Sequence, residues 1–431
     1  MTRKLLIICY YWPPAGGPGV QRWLKFATYL TEFDFEVTVL VPDNPDYPIL
    51  DQSLLADVPD SVNVLRASIF EPSRLVSSLS RKRTKSLQRG IISKQKSYFE
   101  RIILWLRGNL FIPDARIFWV KKLIPVAQDY LNLNPEAAII TTGPPHSVHL
   151  GGLHLKTQNN NLKWIADFRD PWTTIGYHKK LSLGTSAKKK HLELENKVLK
   201  NADMIVVTSP HTQAEFESKT QVPVKVVTNG FDVEVNQNIE QPEGKFTVSH
   251  VGTLLSDRNP EILWDVLSEL CREQPSFAKD LSIQLAGNLS RSILKKIDYY
   301  GLTDLCAIKG YISHDEATEL MFKSQCLLLI EIDSNETKAI VPGKLFEYLA
   351  SKRPILAIGP EEASVEQMIH DNEAGIYHSY KDRSKLKDSL LKFYKLYKSG
   401  NNLANQCDHI HKYHRRETTR LLVTHLNDLW E

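Results

Sequence analysis

The chain alternates short apolar runs with amphipathic stretches twice over, and one polar stretch separates the two series. Apolar runs of this length, bounded by glycine, proline and polar residues, are typical of strands that are buried on both faces of a parallel sheet. The strands predicted in the first series are 5–11, 35–41, 62–66, 137–142, 162–168, 204–208 and 224–228. Those predicted in the second are 246–251, 281–285, 306–309, 326–332 and 355–358. Strands that alternate with helices in this way predict α/β domains with doubly wound sheets.

The polar stretch 234–245 has few large apolar residues and is predicted to link two domains. With 431 residues, the chain is longer than one hydrophobic core usually serves. We therefore expect an N-terminal Rossmann-like domain over 1–235 and a C-terminal Rossmann-like domain over 236–410, facing each other across a cleft. Residues 411–431 are predicted to form a terminal helix that can pack back on the N-terminal domain.

Composition narrows the class of protein. The net charge of +4 is small for a chain that binds nucleic acid through charge. Five cysteines without a CxxC pair are typical of reduced thiols in a cytoplasmic protein. No apolar run approaches the roughly 18 residues that a membrane-spanning helix needs, and the start of the chain lacks a small-residue cleavage site. We expect a cytoplasmic protein that does not bind nucleic acid.

A basic cluster precedes an apolar helix in the first half of the chain. Residues 81–96 carry seven lysines and arginines and no acid. Five apolar residues of the next segment share one helical face, namely Phe99, Ile102, Ile103, Leu106 and Leu110. This combination is typical of an element that binds an anionic membrane surface, here through 81–111 at the inner face of the membrane. A solvated loop followed by an ordinary core helix gives the same pattern, so both interpretations stay open.

The stretch 339–359, AIVPGKLFEYLASKRPILAIG, predicts a loop, a helix and a buried strand. Pro342 suits the first helical turn, where a missing N–H costs nothing. Lys344 and Glu347 follow it, beside free backbone N–H groups that favour anions. A cation and a carboxylate here could hold the phosphate and the ribose hydroxyls of a nucleotide. In the simpler alternative, Glu347 only complements the helix dipole and Lys344 is solvated.

Other candidate residues follow predicted strands of the first series. The carboxyl ends of parallel strands form the ligand crevice of an open α/β sheet, and a glycine turn there lets backbone approach a ligand. The simpler alternatives are a tight connection for the glycines, a helix cap for the histidine and a local salt bridge for the charged group. The residues are Gly16 and Gly17 after the first strand, His146 after the fourth, and Asp167, Arg169 and Asp170 at the end of the fifth.

Six motifs, in their order and spacing, resemble the retaining glycosyltransferases of the GT-B fold, specifically the large family four that builds bacterial surface polysaccharides and glycolipids. The resemblance covers nearly the whole chain, and the last motif is similar to the PSKLFEY-type donor motif. The motifs are the Gly16-Gly17 turn, PPH at 144–146, DFRDPW at 167–172, NGFD at 229–232, Gly252-Thr253 with Arg258, and PGKLFEYLA at 342–350.

The resemblance implies transfer of a sugar, with retention of configuration, from a UDP- or GDP-sugar to a glycan or a lipid-linked acceptor. The resemblance implies that Glu347 binds the ribose hydroxyls and that Arg258 binds the donor diphosphate. The implied donor-binding residues are Gly16, Gly17, Arg258, Gly343, Lys344, Leu345 and Glu347. The implied catalytic residues are His146, Asp167, Arg169 and Asp170. The N-terminal domain would bind the acceptor and the C-terminal domain the nucleotide sugar. No metal or other cofactor is expected, because no DxD-like pair stands at a suitable position.

Two departures from the family pattern keep other functions open. Many members carry a first glutamate where this chain has Ala339, and Glu331, Asp333 or Glu336 could reach the same space. The arginine that members carry after the strand-end glycine is Thr253 here. A catalytically silent subunit that binds a nucleotide sugar and a membrane is one alternative, and a nucleotide-sugar 2-epimerase is another. An NAD-dependent enzyme is disfavoured, because neither half contains GxGxxG followed by a suitably spaced acid.

Overall fold

The computed structural model describes residues 2–71, 98–176, 178, 181–235, 242–401 and 408–430. The chain divides into two compact units. Unit 1 comprises Met1–Asn229 together with Arg415–Glu431, and unit 2 comprises Gly230–His414. The chain therefore leaves unit 1, builds unit 2 without interruption, and returns to unit 1.

Unit 1 contains a seven-stranded parallel sheet with the strand order β3-β2-β1-β4-β5-β6-β7. Its strands are β1 (Arg3–Ile8), β2 (Phe35–Asp43), β3 (Asn63–Ser68), β4 (Ala138–Gly143), β5 (Trp164–Phe168), β6 (Met204–Val207) and β7 (Val224–Val226). The helices between them are α1 (Pro18–Leu30), α2 (Tyr98–Asn109), α3 (Ile117–Leu133), α4 (Ser147–Gln158), α5 (Thr185–Asn201) and α6 (Pro210–Glu217). The order reverses between β1 and β4, and ligands bind outside the carboxyl ends of strands at such a point.

Unit 2 contains a six-stranded parallel sheet with the order β10-β9-β8-β11-β12-β13. Its strands are β8 (Phe246–Val251), β9 (Leu281–Ala286), β10 (Cys306–Gly310), β11 (Cys326–Ile330), β12 (Ile355–Gly359) and β13 (Gly375–Ser379). Its helices are α7 (Glu261–Glu273), α8 (Pro275–Asp280), α9 (Arg291–Tyr299), α10 (His314–Phe322), α11 (Gly343–Ala350), α12 (Ser364–Asp371) and α13 (Arg383–Lys398). The order reverses between β8 and β11.

The central strands are buried because they carry apolar residues on both faces. Leu5 to Ile8 of β1 and all of β11 are fully covered, as expected for parallel strands between two helical layers. In register, Leu5 pairs with Ala138 of β4, and Cys326 pairs with Val248 of β8. The terminal helix α14 (Arg415–Asn427) packs against α1 and buries Leu422 and Leu426 in the core of unit 1.

The predicted α/β architecture of two Rossmann-like sheets is confirmed, with shifts of a few residues at strand ends. One strand was missed: β13 was predicted as part of a helical region. It is an edge strand that pairs only with β12 among the described strands, and its short, polar sequence GIYHS lacks the apolar run that marks the others. Pro342 is the residue before α11, in extended backbone, and not part of its first turn.

The predicted apolar helix forms α2, and the described members of its apolar face are exposed. The side chains of Ile102, Trp105 and Leu110 are exposed, whereas Leu104 is buried. The basic cluster 81–96 lies outside the described residues. No helix in the described ranges has the length and apolar character needed to span a bilayer.

Candidate functional site

At the point of strand reversal in unit 2, Gly252 lies beside the side chain of Lys344. Gly252 directly follows β8, and its positive φ of 121° is one that only glycine adopts readily. Its N–H donates to the carbonyl of Ala286 at 2.8 Å. A Cβ at this position would lie 3.7 Å from the Nζ of Lys344. The strand end therefore presents backbone, with the Lys344 ammonium beside it.

Helix α11 positions Lys344. Its residue Tyr348 accepts a hydrogen bond from the N–H of Val251 at 2.9 Å, which holds the helix against the end of β8. Lys344 donates to Nε2 of the buried His250 at 3.4 Å. The other ring nitrogen of His250 donates to the carbonyl of Leu328 at 3.0 Å, so Nε2 is left as an acceptor. Burial holds the pKa of His250 well below its usual range, and the Lys344 charge adds to this effect.

Two further charged groups face Lys344. Glu331 follows β11 and is 3% exposed, and its Oε1 accepts no hydrogen bond from the described residues. Burial raises the pKa of Glu331, although Arg258 and Lys344 act against the rise. The Nε of Arg258 is also buried without a described partner. Burial lowers the pKa of Lys344 to about 7, despite the nearby Glu331 carboxylate. Lys344 and Arg258 together can bind an anion, and the free Oε1 of Glu331 can accept a hydrogen bond from a hydroxyl.

The remaining donor candidates lie on or beside the same helix. Gly343 is the first residue of α11, and Glu347 points its Oε1 at Nε2 of His314, 3.2 Å away. Leu345 instead packs into the core, and its N–H donates to the carbonyl of Pro342. The structure thus brings Lys344 and Arg258 together around Glu331, whereas the side chain of Leu345 faces away from them.

In unit 1, Asp167 lies inside the protein. It is fully buried at the end of β5 and accepts hydrogen bonds from Arg22 (2.8 Å), Trp23 (2.7 Å) and Thr142 (2.8 Å). Arg22 chiefly offsets the effect of burial, so the pKa of Asp167 lies below its usual value. A salt bridge was one alternative for this charged group, and the partner of Asp167 is Arg22 of α1 rather than Arg169.

Arg169 ties the glycine turn to the end of β4. Its guanidinium donates to the carbonyl of Gly19 at 3.0 Å and to the carbonyl of Pro144. A Cβ on Gly19 would overlap this guanidinium. Gly16 donates its N–H to Ile49, and Gly17 has a φ of 101° with open space where a Cβ would stand. Arg169 therefore holds the residues that follow the turn, and the space next to Gly17 is free for a ligand.

Asp170 and His146 remain unengaged at this edge of the sheet. Asp170 is partly exposed and makes no hydrogen bond to the described residues, and burial raises its pKa. His146 is 2% exposed and stacks on Trp172 with ring centroids 5.1 Å apart. Neither ring nitrogen has a described partner, and burial holds its pKa well below the usual range, so the ring is neutral.

His146 occupies the N-cap position of α4, as the alternative of a helix cap predicted, but its side chain makes no capping hydrogen bond. Asp114 takes that role, because it accepts from both the N–H and the hydroxyl of Ser147 at 2.9 and 2.8 Å. Sequence reasoning missed Asp114 and the two unit 2 histidines, His250 and His314. A histidine within an apolar strand run was the one available signal, and it pointed to His250.

The two parallel sheets with interleaved helices define the GT-B fold, and solved structures of that fold match the chain over almost its whole length. Sucrose-phosphate synthase from Thermosynechococcus elongatus is 13% identical, with a TM-score of 0.63 and coverage of 99% of this chain and 98% of that one. Anabaena Alr3699/HepE, solved with UDP and glucose, is 12% identical, with a TM-score of 0.63 and coverage of 99% and 100%. WaaG, a glycosyltransferase of lipopolysaccharide biosynthesis, is 12% identical, with a TM-score of 0.53 and coverage of 97% and 95%. No family model and no curated protein matches the chain.

Proposed function

We propose that this protein is a retaining glycosyltransferase that moves a sugar from a nucleotide-diphosphate sugar to a glycan or lipid-linked acceptor. The observation that carries the proposal is the cluster of Lys344, Arg258 and Glu331 at the strand-reversal point of unit 2. A donor diphosphate can bind there by bridging the Lys344 ammonium and the Arg258 guanidinium. The GT-B fold supports the assignment, since HepE of the same fold was solved with UDP and glucose.

Each donor-binding residue has a distinct task in this proposal. Lys344 and Arg258 bind the diphosphate and stabilise the charge that develops on it as the sugar leaves. Gly252 has no side chain to block the approach of the phosphate, and the N–H of Gly343 at the start of α11 donates to the same oxygens. The carboxylate of Glu347 accepts hydrogen bonds from the ribose hydroxyls. No metal ion is needed, because the two cations and the first turn of α11 supply the positive charge.

The donor sugar needs a hydrogen-bond acceptor in place of the one that Ala339 cannot provide. Glu336 is bonded to the hydroxyl of Ser334, whereas the Glu331 carboxylate is buried with Oε1 free. Asp333 is exposed, so Glu331 is the preferred candidate among the three carboxylates, and its contact with the sugar adds to its effect on Lys344.

On the acceptor side, Asp170 is partly exposed and is the group placed to contact a sugar, whereas His146 is buried against Trp172 and remains a catalytic candidate from the resemblance. In this proposal Asp170 accepts a hydrogen bond from a sugar hydroxyl. Arg169 supports the turn at Gly19. Retention follows when the acceptor hydroxyl attacks from the face that the diphosphate leaves, with the departing phosphate as the base. Asp167 remains a catalytic candidate from the resemblance alone, since its carboxylate is engaged by Arg22.

Exposed apolar side chains on and just after α2 support a lipid-linked acceptor and a location at a membrane. Trp105, 47% exposed, and Leu110, 63% exposed, next to a basic stretch suit the surface of an anionic membrane. We propose that the protein works in the cytoplasm at the inner face of the membrane, in cell-surface polysaccharide synthesis. In a flotation assay with anionic liposomes, Trp105→Ser with Leu110→Ser should lose binding. Leu133→Ser, at a residue 82% exposed on α3, is the matched control. Equal flotation of the wild type and all variants would exclude Trp105 and Leu110 from membrane binding, and a wild type that does not float would refute membrane binding.

Thermal shift with UDP, GDP and their sugars tests the function. A ligand at a hundred times its Kd adds about 2.7 kcal/mol of stability, and this gain should disappear in Glu347→Ala. Release of nucleoside diphosphate from the matching donor should follow. Binding without turnover would favour the catalytically silent subunit, for which Ala339 gives a reason. Conversion of the nucleotide sugar into its C2 epimer would favour the epimerase. A folded protein that no nucleotide stabilises would refute donor binding altogether.

A further inference from the structure

Glu347 and His314 form a contact that the roles described so far do not explain. The distance from Nε2 of His314 to Oε1 of Glu347 is 3.2 Å. The Glu347 side chain is 25% exposed and that of His314 is 65% exposed. Because the carboxylate can only accept, Nε2 of His314 is the donor. The second oxygen, Oε2, accepts no hydrogen bond from the described residues, so His314 occupies one half of the carboxylate and leaves the other half free.

Local backbone and capping interactions fix the position of His314. Strand β10 ends at Gly310, whose φ of 66° turns the chain. Ser313 then caps α10: its hydroxyl accepts from the N–H of Glu316, and its own N–H donates to the Glu316 carboxylate at 2.8 Å. His314 is the first residue of that helix, and its carbonyl accepts from Thr318 at 2.9 Å. The backbone that carries the imidazole is thus held at both sides.

The contact belongs to the same face of α11 as Lys344. Residues three apart in a helix are neighbours on its surface, so Glu347 lies one turn beyond Lys344. Lys344 faces Gly252 at the end of β8, and His314 comes from the end of β10, two strands away in the sheet. The cation, the carboxylate and the imidazole therefore follow one another along one edge of unit 2.

We propose that His314 is a positioning residue that holds Oε1 of Glu347 so that Oε2 accepts the 2′-hydroxyl of a bound nucleotide. This role rests on the proposed function, in which Glu347 binds the ribose. A carboxylate held by one hydrogen bond loses less freedom when the hydroxyl binds. A site built to bond a hydroxyl rejects the analogue that lacks it, because its polar group is then left unpaired. His314 therefore contributes to the preference for ribose over 2′-deoxyribose.

The test measures the Kd of the full chain for UDP and for 2′-deoxy-UDP, or for the guanosine pair if GDP is the ligand. In His314→Ala, the preference for ribose should fall by about three- to tenfold, the range of one hydrogen bond. His314→Gln should retain the preference, since its amide nitrogen can donate to Oε1. His370→Ala, at an exposed histidine on α12, is the matched control and should behave like the wild type.

A double-mutant cycle separates this role from a general effect on the site. Once Glu347→Ala has abolished the preference, adding His314→Ala should change nothing further. An unchanged preference in His314→Ala would overturn the role alone. Tighter binding of both nucleotides in that variant would also overturn it, because His314 would then compete with the ligand for Glu347. If the wild type binds no nucleoside diphosphate, the proposed function fails and this role fails with it.

Discussion

At the scale of the residue, Lys344 shows how surroundings set chemistry. Its ammonium has no carboxylate within ion-pair distance among the described residues, and burial lowers its pKa to about 7. Above that pH, Lys344 loses its positive charge in the protein without a bound nucleotide. The proposed affinity for a diphosphate should therefore fall as the pH rises from 7 to 9, by up to about tenfold for each unit beyond the pKa.

Lys344→Arg supplies the comparison, because a guanidinium stays charged throughout this range. Its affinity for UDP or GDP, measured by calorimetry at the same pH values, should stay nearly constant. A parallel decline in wild type and variant would assign the pH dependence to another group, with Glu331 and His250 as the neighbouring candidates.

Asp167 illustrates the opposite case, a carboxylate whose bonds are all satisfied. Asp167→Asn should destabilise unit 1 by about 3–5 kcal/mol, because the charge of the buried Arg22 would lose its counter-ion. Denaturant titration followed by tryptophan fluorescence measures this, since Trp23 donates directly to Asp167.

The matched control for this prediction is Asp57→Asn. Its carboxylate pairs with Lys25 at 3.3 Å on the surface, where such a pair contributes less than about 1 kcal/mol. Equal losses in the two variants would show that the buried pair has no special contribution to the stability of unit 1.

At the scale of the element, the first turn of α10 is held by its capping box. Ser313→Ala should cost about 0.5–2 kcal/mol and increase hydrogen exchange at the N-terminus of this helix. Ser290→Ala is a close control, because Ser290 precedes α9 without making a capping hydrogen bond to it. Exchange mass spectrometry over 310–322 should respond to the first change and not to the second. An equal response would mean that the capping box does not hold the turn.

Sequence patterns predicted elements well where one property decides them. Strands such as β8 and β11 were predicted because a covered parallel strand is apolar throughout. Strand β13 was missed because an edge position tolerates Tyr377 and His378, which make the segment resemble its polar surroundings.

The candidate site was predictable in part, for a similar reason. Lys344 was predicted from its place at the start of a helix and Arg258 from the family resemblance, and the structure brings them together around Glu331. The pairing of Glu347 with His314 joins residues 33 positions apart, and that of Asp167 with Arg22 joins residues 145 apart. No local spacing encodes either pair, because both depend on which strands become neighbours in the sheet.

At the scale of the whole molecule, buried neutral histidines make stability depend on pH. Burial lowers the pKa of His149 to about 3 and that of His178 to about 4. The unfolded chain therefore binds more protons than the folded one below about pH 6.5. The contribution of these histidines to the free energy of unfolding is fully present above that pH. It should fall as the pH decreases toward 4, by at most about 1.4 kcal/mol per pH unit for each such histidine.

His149→Asn tests the origin of this slope. Trp164 donates to Thr141, so the Thr141 hydroxyl is left to donate to Nδ1 of His149, and an asparagine oxygen can accept in its place. The variant should lose less stability between pH 7.5 and 4.5 than the wild type does. His211→Asn, at an exposed histidine of the same unit, should follow the wild type. Identical slopes in all three would exclude His149 as a source.

The return of the chain to unit 1 has a consequence for its synthesis. A ribosome releases the N-terminal strands first, but α14, which supplies Leu422 and Leu426 to their core, emerges only after unit 2. Unit 2 is contiguous and can fold as soon as it has left the exit tunnel. The core of unit 1 lacks Leu422 and Leu426 until the whole of unit 2 has been translated. Unit 2, from the middle of the polypeptide, is then the first unit to complete its fold. A chaperone would be needed while the nascent N-terminal sheet still lacks α14.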